Sequence, residues 1–325
     1  MYTLTCNISI TTKSGSIRLA KVTSATVSRS IDSLTTTATV TLPRRIKWKG
    51  ATNCPIRRGD PITIELGYDQ NNRIAFVGYV SKVGTQTPLI IECADEMLKL
   101  RTTAAKKLSY ASTDIATVLR DQGLDPVVSG KQSIGAYRIC CNTVAELLDS
   151  LKKQNIRSFY RLGSGSTPRL FSGLSIVPDD VRTFRFSNTE NMVDATNLNF
   201  QDKQDTLFTV KVVSHLDVQS GKKTKSQKVE VTVGDLGGEV RTFNVIGMNQ
   251  AEMKEYGEKQ YEQLKTGGLT GSFTAFGGDL IDKLDRVRLV IDGTDHGVYQ
   301  VNVNEISYGE GGLRQEITIG TRLSD

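Results

Sequence analysis

Residues able to carry out acid/base or metal chemistry are few and scattered in this sequence. The two histidines, His215 and His296, do not stand at helical or hairpin spacing from a second metal ligand. Asp279, Asp282 and Asp285 are close together, but each lies beside a turn glycine or at a strand start, where Asp bonds to local backbone. The sequence therefore predicts no catalytic residue, no metal site and no cofactor.

Three short motifs resemble functional signatures but lack their context. The "GSGS" at 163–166 stands in a Gly/Ser loop without the strand-turn-helix of a serine nucleophile elbow, and we interpret it as a linker. The "SGKKTKS" at 220–226 lacks the full spacing of a phosphate-binding loop, so a solvated hairpin tip is the better interpretation. The "RGD" at 58–60 leads directly into a predicted strand, and we attribute it to chance.

The strongest charge signal is a basic segment between two predicted strands, residues 44–58, which we name the basic connector. Six basic residues flank the single tryptophan, Trp48, in this segment: Arg44, Arg45, Lys47, Lys49, Arg57 and Arg58. Basic side chains around an aromatic ring can bind a nucleic-acid backbone and stack on a base. Charge runs are more often exposed faces, so we favour a solvated loop or a patch that docks on an acidic protein neighbour.

Composition and charge are those of a globular protein of about two or three domains. The 325 residues are 38% hydrophobic and 23% charged, and no apolar run is long enough to span a membrane. The first twenty residues carry no secretory signal pattern, so we expect folding in the cytosol. The net charge of +6 arises within residues 1–100, which hold 13 Lys or Arg against 7 Asp or Glu. Five cysteines at irregular spacing indicate free thiols.

The hydrophobic pattern divides the chain into three predicted units. Residues 1–100 alternate polar and apolar side chains and are rich in β-branched residues, which predicts a first β module. Residues 101–190 change to helical spacing, with one helix capped by Ser112 and an apolar stripe over 144–151, and form an α/β insertion. Residues 191–325 return to strands around one long helix. The expected fold is mainly β with an α/β insertion: two similar tube-like β-barrel modules plus a small mixed α/β domain.

One strand pattern occurs twice, near the two ends of the chain. The first matching set pairs Asp60, Ile62, Ile64 and Leu66 with Asp285, Val287, Leu289 and Ile291. The second pairs Phe76, Gly78, Val80 and Val83 with Tyr299, Val301, Val303 and Ile306. Such alternation is common in β proteins, but an α/β unit inserted between two copies favours a duplication.

The chain resembles the baseplate hub proteins of contractile phage tails. The resemblance is carried by "VSRSIDSLTTTATVTLP", "RRGDPITIELGY", "AFVGYVSKV", "PLIIECADEMLKLR" and "GSFTAFGGDLIDKLDRVRLVIDG". This family includes the Mu-like tail proteins, the late control D proteins and the N-terminal half of type VI secretion spike proteins. The resemblance spans nearly the whole length, in the order β module, α/β insertion, β module.

The resemblance implies a non-enzymatic structural protein. In the family, three chains close into a homotrimeric ring whose six modules resemble the six subunits of the tail tube. The implied partners are the tail tube protein, the spike protein and other baseplate proteins, with transient passage of DNA through the ring and no membrane insertion. The implied location is the virion tail baseplate, assembled in the bacterial host cytoplasm, of a phage or a prophage-derived injection machine.

Two features depart from the family pattern or leave alternatives open. Some relatives extend into an OB-fold, a lysozyme-like domain or a needle, whereas this sequence stops after its last strand, so we expect penetration and cell-wall cleavage from other polypeptides. Family lumens are commonly acidic, so the basic connector faces either an adjoining baseplate protein or the conduit. The main alternative is a nucleic-acid-binding β-barrel protein that uses the patch around Trp48. A cell-wall hydrolase would need a paired-carboxylate or Cys/His constellation that the sequence lacks.

Overall fold

Strands dominate the chain, and the mainly β class is confirmed. The computed structural model describes residues 2–43, 46, 48, 53–162, 167–173, 181–186, 193–203, 207–220, 223–264 and 268–323. The strands up to residue 94 are β1 Leu4–Thr12, β2 Gly15–Leu19, β3 Ser24–Ser30, β4 Thr37–Thr41, β5 Pro61–Tyr68, β6 Asn71–Val83 and β7 Ile90–Ala94. The next elements are α1 Met97–Leu100, β8 Ser109–Asp114, α2 Ile115–Asp121, β9 Pro126–Val127, β10 Ser133–Arg138, α3 Val144–Lys152, β11 Arg157–Leu162 and β12 Pro168–Gly173. The remaining elements are β13 Val181–Phe186, β14 Val193–Lys203, β15 Phe208–Ser220, β16 Lys223–Gly234, β17 Glu239–Ile246, α4 Gln250–Leu264, β18 Gly268–Phe276, β19 Arg286–Ile291, β20 Thr294–Gly309 and β21 Gly312–Leu323.

The first β module is built from β1 to β7 in the spatial order β3-β4-β7-β6-β5-β1-β2. Each neighbouring pair is antiparallel. The predicted alternation is realised in β5, where Ile62, Ile64 and Leu66 are buried and the residues between them are half-exposed. Burial of one face of each strand gives this module a hydrophobic core, to which Ile306, Tyr308 and Leu313 of β20 and β21 also contribute.

The second β module has the order β14-β18-β21-β20-β19-β13. Its core includes an aromatic cluster with ring centroids 5.0–6.0 Å apart: Phe184, Phe186, Phe200 and Phe273. Five strands, β14, β18, β21, β20 and β19, occupy the places of β3, β4, β7, β6 and β5, and the corresponding strands follow each other in the same chain order. The sixth place differs, because β13 runs parallel to β19 whereas β1 runs antiparallel to β5.

The predicted repeat holds in the first strand and is wrong by two residues in the second. Ile62 of β5 stands opposite Gly78, and Val287 of β19 stands opposite Tyr299. Gly78, and not Phe76, is therefore the counterpart of Tyr299. A shift of two residues keeps every side chain on the same face, so the alternating pattern alone could not fix this register.

Strands β15 to β17 and helix α4, described within residues 208–264, share one hydrophobic core with the inserted unit. The α2 and α3 helices supply Leu119 and Leu147, the sheet β16-β15-β17 supplies Val212, and α4 supplies Tyr256. The predicted boundaries differ from this arrangement, since they placed all of 191–325 in the second β module and β13 in the insertion. The chain leaves the second module after β14 and returns at β18, and β15, β16, β17 and α4 between them pack as a separate layer on the inserted unit.

The two helices of the inserted unit begin at capping side chains. Asp114 caps α2, because its carboxylate accepts a hydrogen bond from the Thr117 N–H at 3.0 Å. The predicted cap, Ser112, belongs to β8. Thr143 forms a capping box with Glu146 at the start of α3, and the predicted apolar stripe of this helix is buried.

Candidate functional site at the junction of the two β modules

Strand β20 joins the two β modules into one continuous sheet. Its first half pairs with β19 of its own module, and its second half pairs antiparallel with β3 of the first module. Within this contact Asn304 stands opposite Arg29 and donates a hydrogen bond to the Ile281 carbonyl at 2.5 Å. Ile281 belongs to the segment that precedes β19, residues 279–285, which we name the junction segment.

The junction segment contains a turn that also occurs in the first module. The Asp60 carboxylate accepts a hydrogen bond from the Arg57 N–H at 2.8 Å, and the Asp285 carboxylate accepts one from the Asp282 N–H at 2.8 Å. Leu284 adopts a φ of 70°, in the region that glycine favours, and a glycine occupies the matching position of the first repeat. The predicted local bonding of Asp285 is thus confirmed, and the repeat extends to individual hydrogen bonds.

Arg29 of β3 connects both modules through one buried guanidinium. It is 4% exposed. Its Nη1 donates to the Ile281 carbonyl at 2.6 Å, its Nη2 donates to the Ala75 carbonyl at 2.5 Å, and its Nε lies 3.7 Å from the Asp282 carboxylate. Ala75 lies in the first module and Ile281 in the second. The planar fork of arginine donors suits such a site, where several acceptors surround one cation.

Lys283 and Asp95 extend the buried charge cluster. Lys283 is fully buried, donates from Nζ to the Thr36 hydroxyl at 2.9 Å, and lies 4.8 Å from the ring centroid of Phe159 in the inserted unit. Asp95 accepts hydrogen bonds from the N–H groups of Thr36 and Met97 at 2.8 and 3.1 Å. Burial raises the pKa of Asp95 to about 6 against the opposing charge of Lys283, and burial lowers the pKa of Lys283. These charges link all three units.

The carboxylates at the two ends of the junction segment form further ion pairs. Asp285 pairs with Arg161 of β11, and burial raises the pKa of Asp285 against that charge. Asp279 is exposed and lies 3.7 Å from the Arg73 guanidinium and 3.5 Å from that of Arg182. Sequence reasoning missed these ion pairs, because their partners lie far away in the chain. No local sequence signal identifies them.

The structure describes only part of the basic connector. Four of its basic residues lie outside the described part of the chain: Arg44, Arg45, Lys47 and Lys49. Trp48 is half-buried and packs against the core of the first module. Arg57 is exposed and its Nη1 donates to the carbonyls of Cys54 and Ile56 at 2.6 and 3.0 Å, and Arg58 is exposed. The tryptophan ring therefore contributes to packing of the first module.

The other residues considered for chemistry form no cluster in the described ranges. Among these residues, no group of three or more His, Cys, Asp and Glu side chains could hold a metal ion. His296 is half-buried in β20, and the side chain of His215 and the "GSGS" motif lie outside the described part. None of the described helices has the length and apolarity needed to cross a membrane. The described cysteines are free thiols.

Solved structures share the overall fold over nearly the whole chain. The tail protein from Neisseria meningitidis MC58 matches with a TM-score of 0.64 at 15% identity, over 98% of this chain and 97% of that chain. The 43 kDa tail protein of prophage MuSo2 from Shewanella oneidensis matches with a TM-score of 0.60 at 14% identity, over 97% and 98%. The chain has the fold of phage tail proteins.

The tail-protein fold also occurs in a secretion system. A component of the type VI secretion system of E. coli, described as structurally similar to bacteriophage T4 tail proteins, matches with a TM-score of 0.54 at 8% identity, over 94% of this chain and 74% of that chain. By sequence, the chain matches no protein-family model and no curated protein. At these identities the similarity establishes the architecture, since one fold can serve several functions.

Proposed function

We propose that this protein is the structural baseplate hub of a phage tail or of a prophage-derived injection machine. Three chains form a ring of six similar β modules, which joins a hexameric tail tube to a trimeric spike. The tail-protein fold supports a structural role in a tail. The similarity to a type VI secretion component supports the same role in a related injection machine.

The observation that carries this proposal is the strand order that occurs twice in one chain. A chain with two equivalent modules gives a threefold ring six similar faces, and such a ring can contact a sixfold tube on one side and a threefold spike on the other. The pairing of β20 with β3 already joins two modules through their strand edges. A closed ring extends this use of edges that would otherwise be open to uncontrolled pairing.

The buried charges of the junction support the proposal by holding the two modules in one arrangement. Arg29 bonds to carbonyls of both modules, and Lys283 of the second module bonds to Thr36 of the first. A buried ion pair adds little stability compared with apolar packing, but a displaced partner leaves an uncompensated charge, which is costly. We infer that the cluster disfavours other angles between the modules, as closure of a ring requires.

The proposed role is non-enzymatic. The proposed partners are two further copies of this chain, the tail tube protein, the spike protein and neighbouring baseplate proteins. The proposed location is the virion baseplate, after assembly in the cytoplasm of the bacterial host. Several of the polar side chains buried in the described part are engaged between units, as those of Arg29, Asp282 and Lys283 are, which suits a scaffold.

The basic connector is proposed to dock on an acidic surface of a neighbouring tail protein. The half-buried position of Trp48 favours this docking over base stacking, because a ring packed on the module core offers less surface to a base. Arg57 and Arg58 are exposed at the end of the connector and are available to such a neighbour.

Light scattering of the purified protein tests the proposed hub. We expect a particle with the mass of three chains, alone or after addition of the tube or spike protein of the same gene cluster. A protein that stays monomeric at high concentration and forms no ring with either partner would contradict the proposal.

A further inference from the structure

The pairing of β20 with β3 is a contact between two copies of one repeat. The second repeat contributes β20 and the first contributes β3, with Asn304 opposite Arg29 and Glu305 opposite Ser28. The counterpart of β20 in the first repeat is β6, and the counterpart of β3 in the second repeat is β14. The strands β6 and β14 therefore provide the two edges for a second contact of the same kind.

A shared β-bulge fixes how β6 corresponds to β20. The pairing of β6 with β7 shifts register between Val80 and Lys82, and the pairing of β20 with β21 shifts register between Val301 and Val303. Bulges mark defined positions in a strand. Val80 therefore corresponds to Val301, and each later residue of β6 corresponds to the residue at the same distance beyond Val301.

The neighbouring strands fix how β14 corresponds to β3. Asn199 of β14 stands opposite Ser272 of β18, and Thr26 of β3 stands opposite Thr39 of β4. Ser272 stands opposite Thr318 of β21, which faces Val303 at the end of the bulge in β20. Thr39 stands opposite Glu92 of β7, which faces Lys82 at the end of the bulge in β6. Ser272 and Thr39 are therefore matching residues. Asn199 therefore corresponds to Thr26.

Neither counterpart edge has a second backbone-paired strand in the described part of the chain. Beyond Val80, the described pairing of β6 is with β7 alone, and that of β14 is with β18 alone. In the strand order β14 is seven strands away from β6, so the two edges of one chain do not meet. An open edge favours pairing with another chain, and two different complementary edges give a head-to-tail contact that can close into a ring.

The backbone at the end of β6 is oriented for this contact. The Gly84 N–H donates to the Ile90 carbonyl at 2.8 Å, towards β7. Successive residues of a strand direct their backbone groups to opposite sides, so the N–H and carbonyl of Val83 point to the open edge. The internal contact has the same alternation, because the carbonyl of Asn302, two residues before Asn304, accepts a hydrogen bond from the Ile31 N–H at 2.9 Å.

We propose that the end of β6 in one copy pairs antiparallel with β14 of the next copy, in the register of the internal contact. Val83 then stands opposite Asp202 of the next copy, and Gly84 stands opposite Gln201. The inference rests on the ring of the proposed function and names the strands that close it. The occupant of each edge is a second copy of this chain, because the contact that serves as template is itself made between copies of the repeat.

Disulfide cross-linking tests this register. Cysteines are placed in pairs, G84C with Q201C and V83C with D202C, in a chain that also carries C140S and C141S. Opposed residues of antiparallel strands have Cα atoms about 4.5 or 5.5 Å apart, within the range of about 4.4–6.8 Å that a disulfide spans. We expect mild oxidation to convert most of either double variant to covalent dimers and trimers, reversed by a reductant. The single variants should stay at the mobility of one chain.

An internal cysteine pair and the native mass distinguish a wrong register from the absence of a ring. The S28C/E305C variant carries the internal pair and should form its disulfide within one chain. If native mass shows three chains and the internal pair forms, but neither intermolecular pair does, the proposed register is overturned while the ring stands. If native mass shows only single chains with or without a tail partner, the ring itself is overturned and the inference with it. The V83C/D202C pair also guards against misfolding at Gly84, where an added Cβ would lie 3.2 Å from the Ile90 carbonyl.

Discussion

The guanidinium of Arg29 in the first β module lies 3.7 Å from the carboxylate of Asp282 in the second, although the two residues are far apart in sequence. The side chains are 5% and 12% exposed. Arg29 also donates to one carbonyl in each module. This buried cation therefore bonds to both repeats, and its removal tests how much these bonds contribute to stability.

Replacing Arg29 with methionine should destabilise the protein by about 3–5 kcal/mol, because the change leaves the buried Asp282 carboxylate without its guanidinium partner and the Ala75 carbonyl without its donor. The free energy of unfolding is measured by urea titration. Arg18→Met, at an exposed arginine of β2, is the matched control and should change it by less than about 0.5 kcal/mol. Equal changes in unfolding free energy for the two variants would mean that Arg29 contributes no more to stability than an exposed arginine does.

Asp95→Asn should change the pH dependence of stability. Burial raises the pKa of Asp95 to about 6 in the folded protein, above its ordinary value of 3.8. Between pH 7 and 5 the folded state therefore binds a proton that the unfolded chain does not, and the stability contribution of Asp95 rises as the pH falls. The unfolding free energy of the unaltered protein minus that of Asp95→Asn should be about 1 kcal/mol larger at pH 5 than at pH 7.

The exposed Asp125 provides the control for this pH dependence. Urea titrations at pH 7 and pH 5 are compared for the unaltered protein, Asp95→Asn and Asp125→Asn. The change in unfolding free energy caused by Asp125→Asn should be the same at both pH values. A difference for Asp95→Asn that also stays constant would show that Asp95 remains ionised in the folded protein at pH 5.

Gly135→Ala should weaken the packing of the inserted unit against the layer formed by β15, β16, β17 and α4. Gly135 has a φ of 70°, and a Cβ there would lie 2.0 Å from the Ile246 carbonyl at the end of β17. Gly130 has a similar φ of 68°, but a Cβ there meets nothing within 4 Å. We expect Gly130→Ala to cost about 1–2 kcal/mol for its backbone alone, and Gly135→Ala to cost about 1–3 kcal/mol more for the clash. Equal melting temperatures of the two variants would contradict this close approach.

The basic connector should matter for attachment and not for folding. Exchanging Arg44, Arg45, Lys47 and Lys49 for Ser should leave the particle mass unchanged and weaken retention on the tube or spike protein. The loss should be largest at low salt, because screening already weakens exposed charge pairs at high salt.

A matched variant removes four exposed basic residues of the inserted unit: Lys107, Arg120, Lys131 and Arg138. It should keep full retention on the tail partner. Retention of the unaltered protein on DNA, with log affinity falling linearly in log salt and lost only in the connector variant, would favour the nucleic-acid-binding alternative.

The predictable part of the fold is the part that local patterns determine. The frame from Asp60 to Leu66 could be matched to its repeat because alternate residues face the core. The apolar stripe of α3 could be found because its residues recur at helical spacing. The cap of α2 was predicted at Ser112, two residues before the observed cap Asp114. The match of Phe76 with Tyr299 failed by two residues, since a register shift of two leaves the pattern unchanged.

The junction was not predictable, because it depends on contacts between distant residues. Charged side chains are rarely fully buried, so nothing in the sequence marks Arg29 or Lys283 as interior residues. Arg29 bonds to a carbonyl 252 positions away. The parallel pairing of β13 with β19 and the packing of 208–264 on the inserted unit are likewise non-local, and alternation or helical spacing carries no information about them.

Electron microscopy of the purified particle, viewed along its axis, counts modules and copies together. We expect three chains that present six similar lobes around one central opening. A particle with three or fewer lobes, or with two dissimilar sets of lobes that do not alternate around a ring, would contradict the proposed hub.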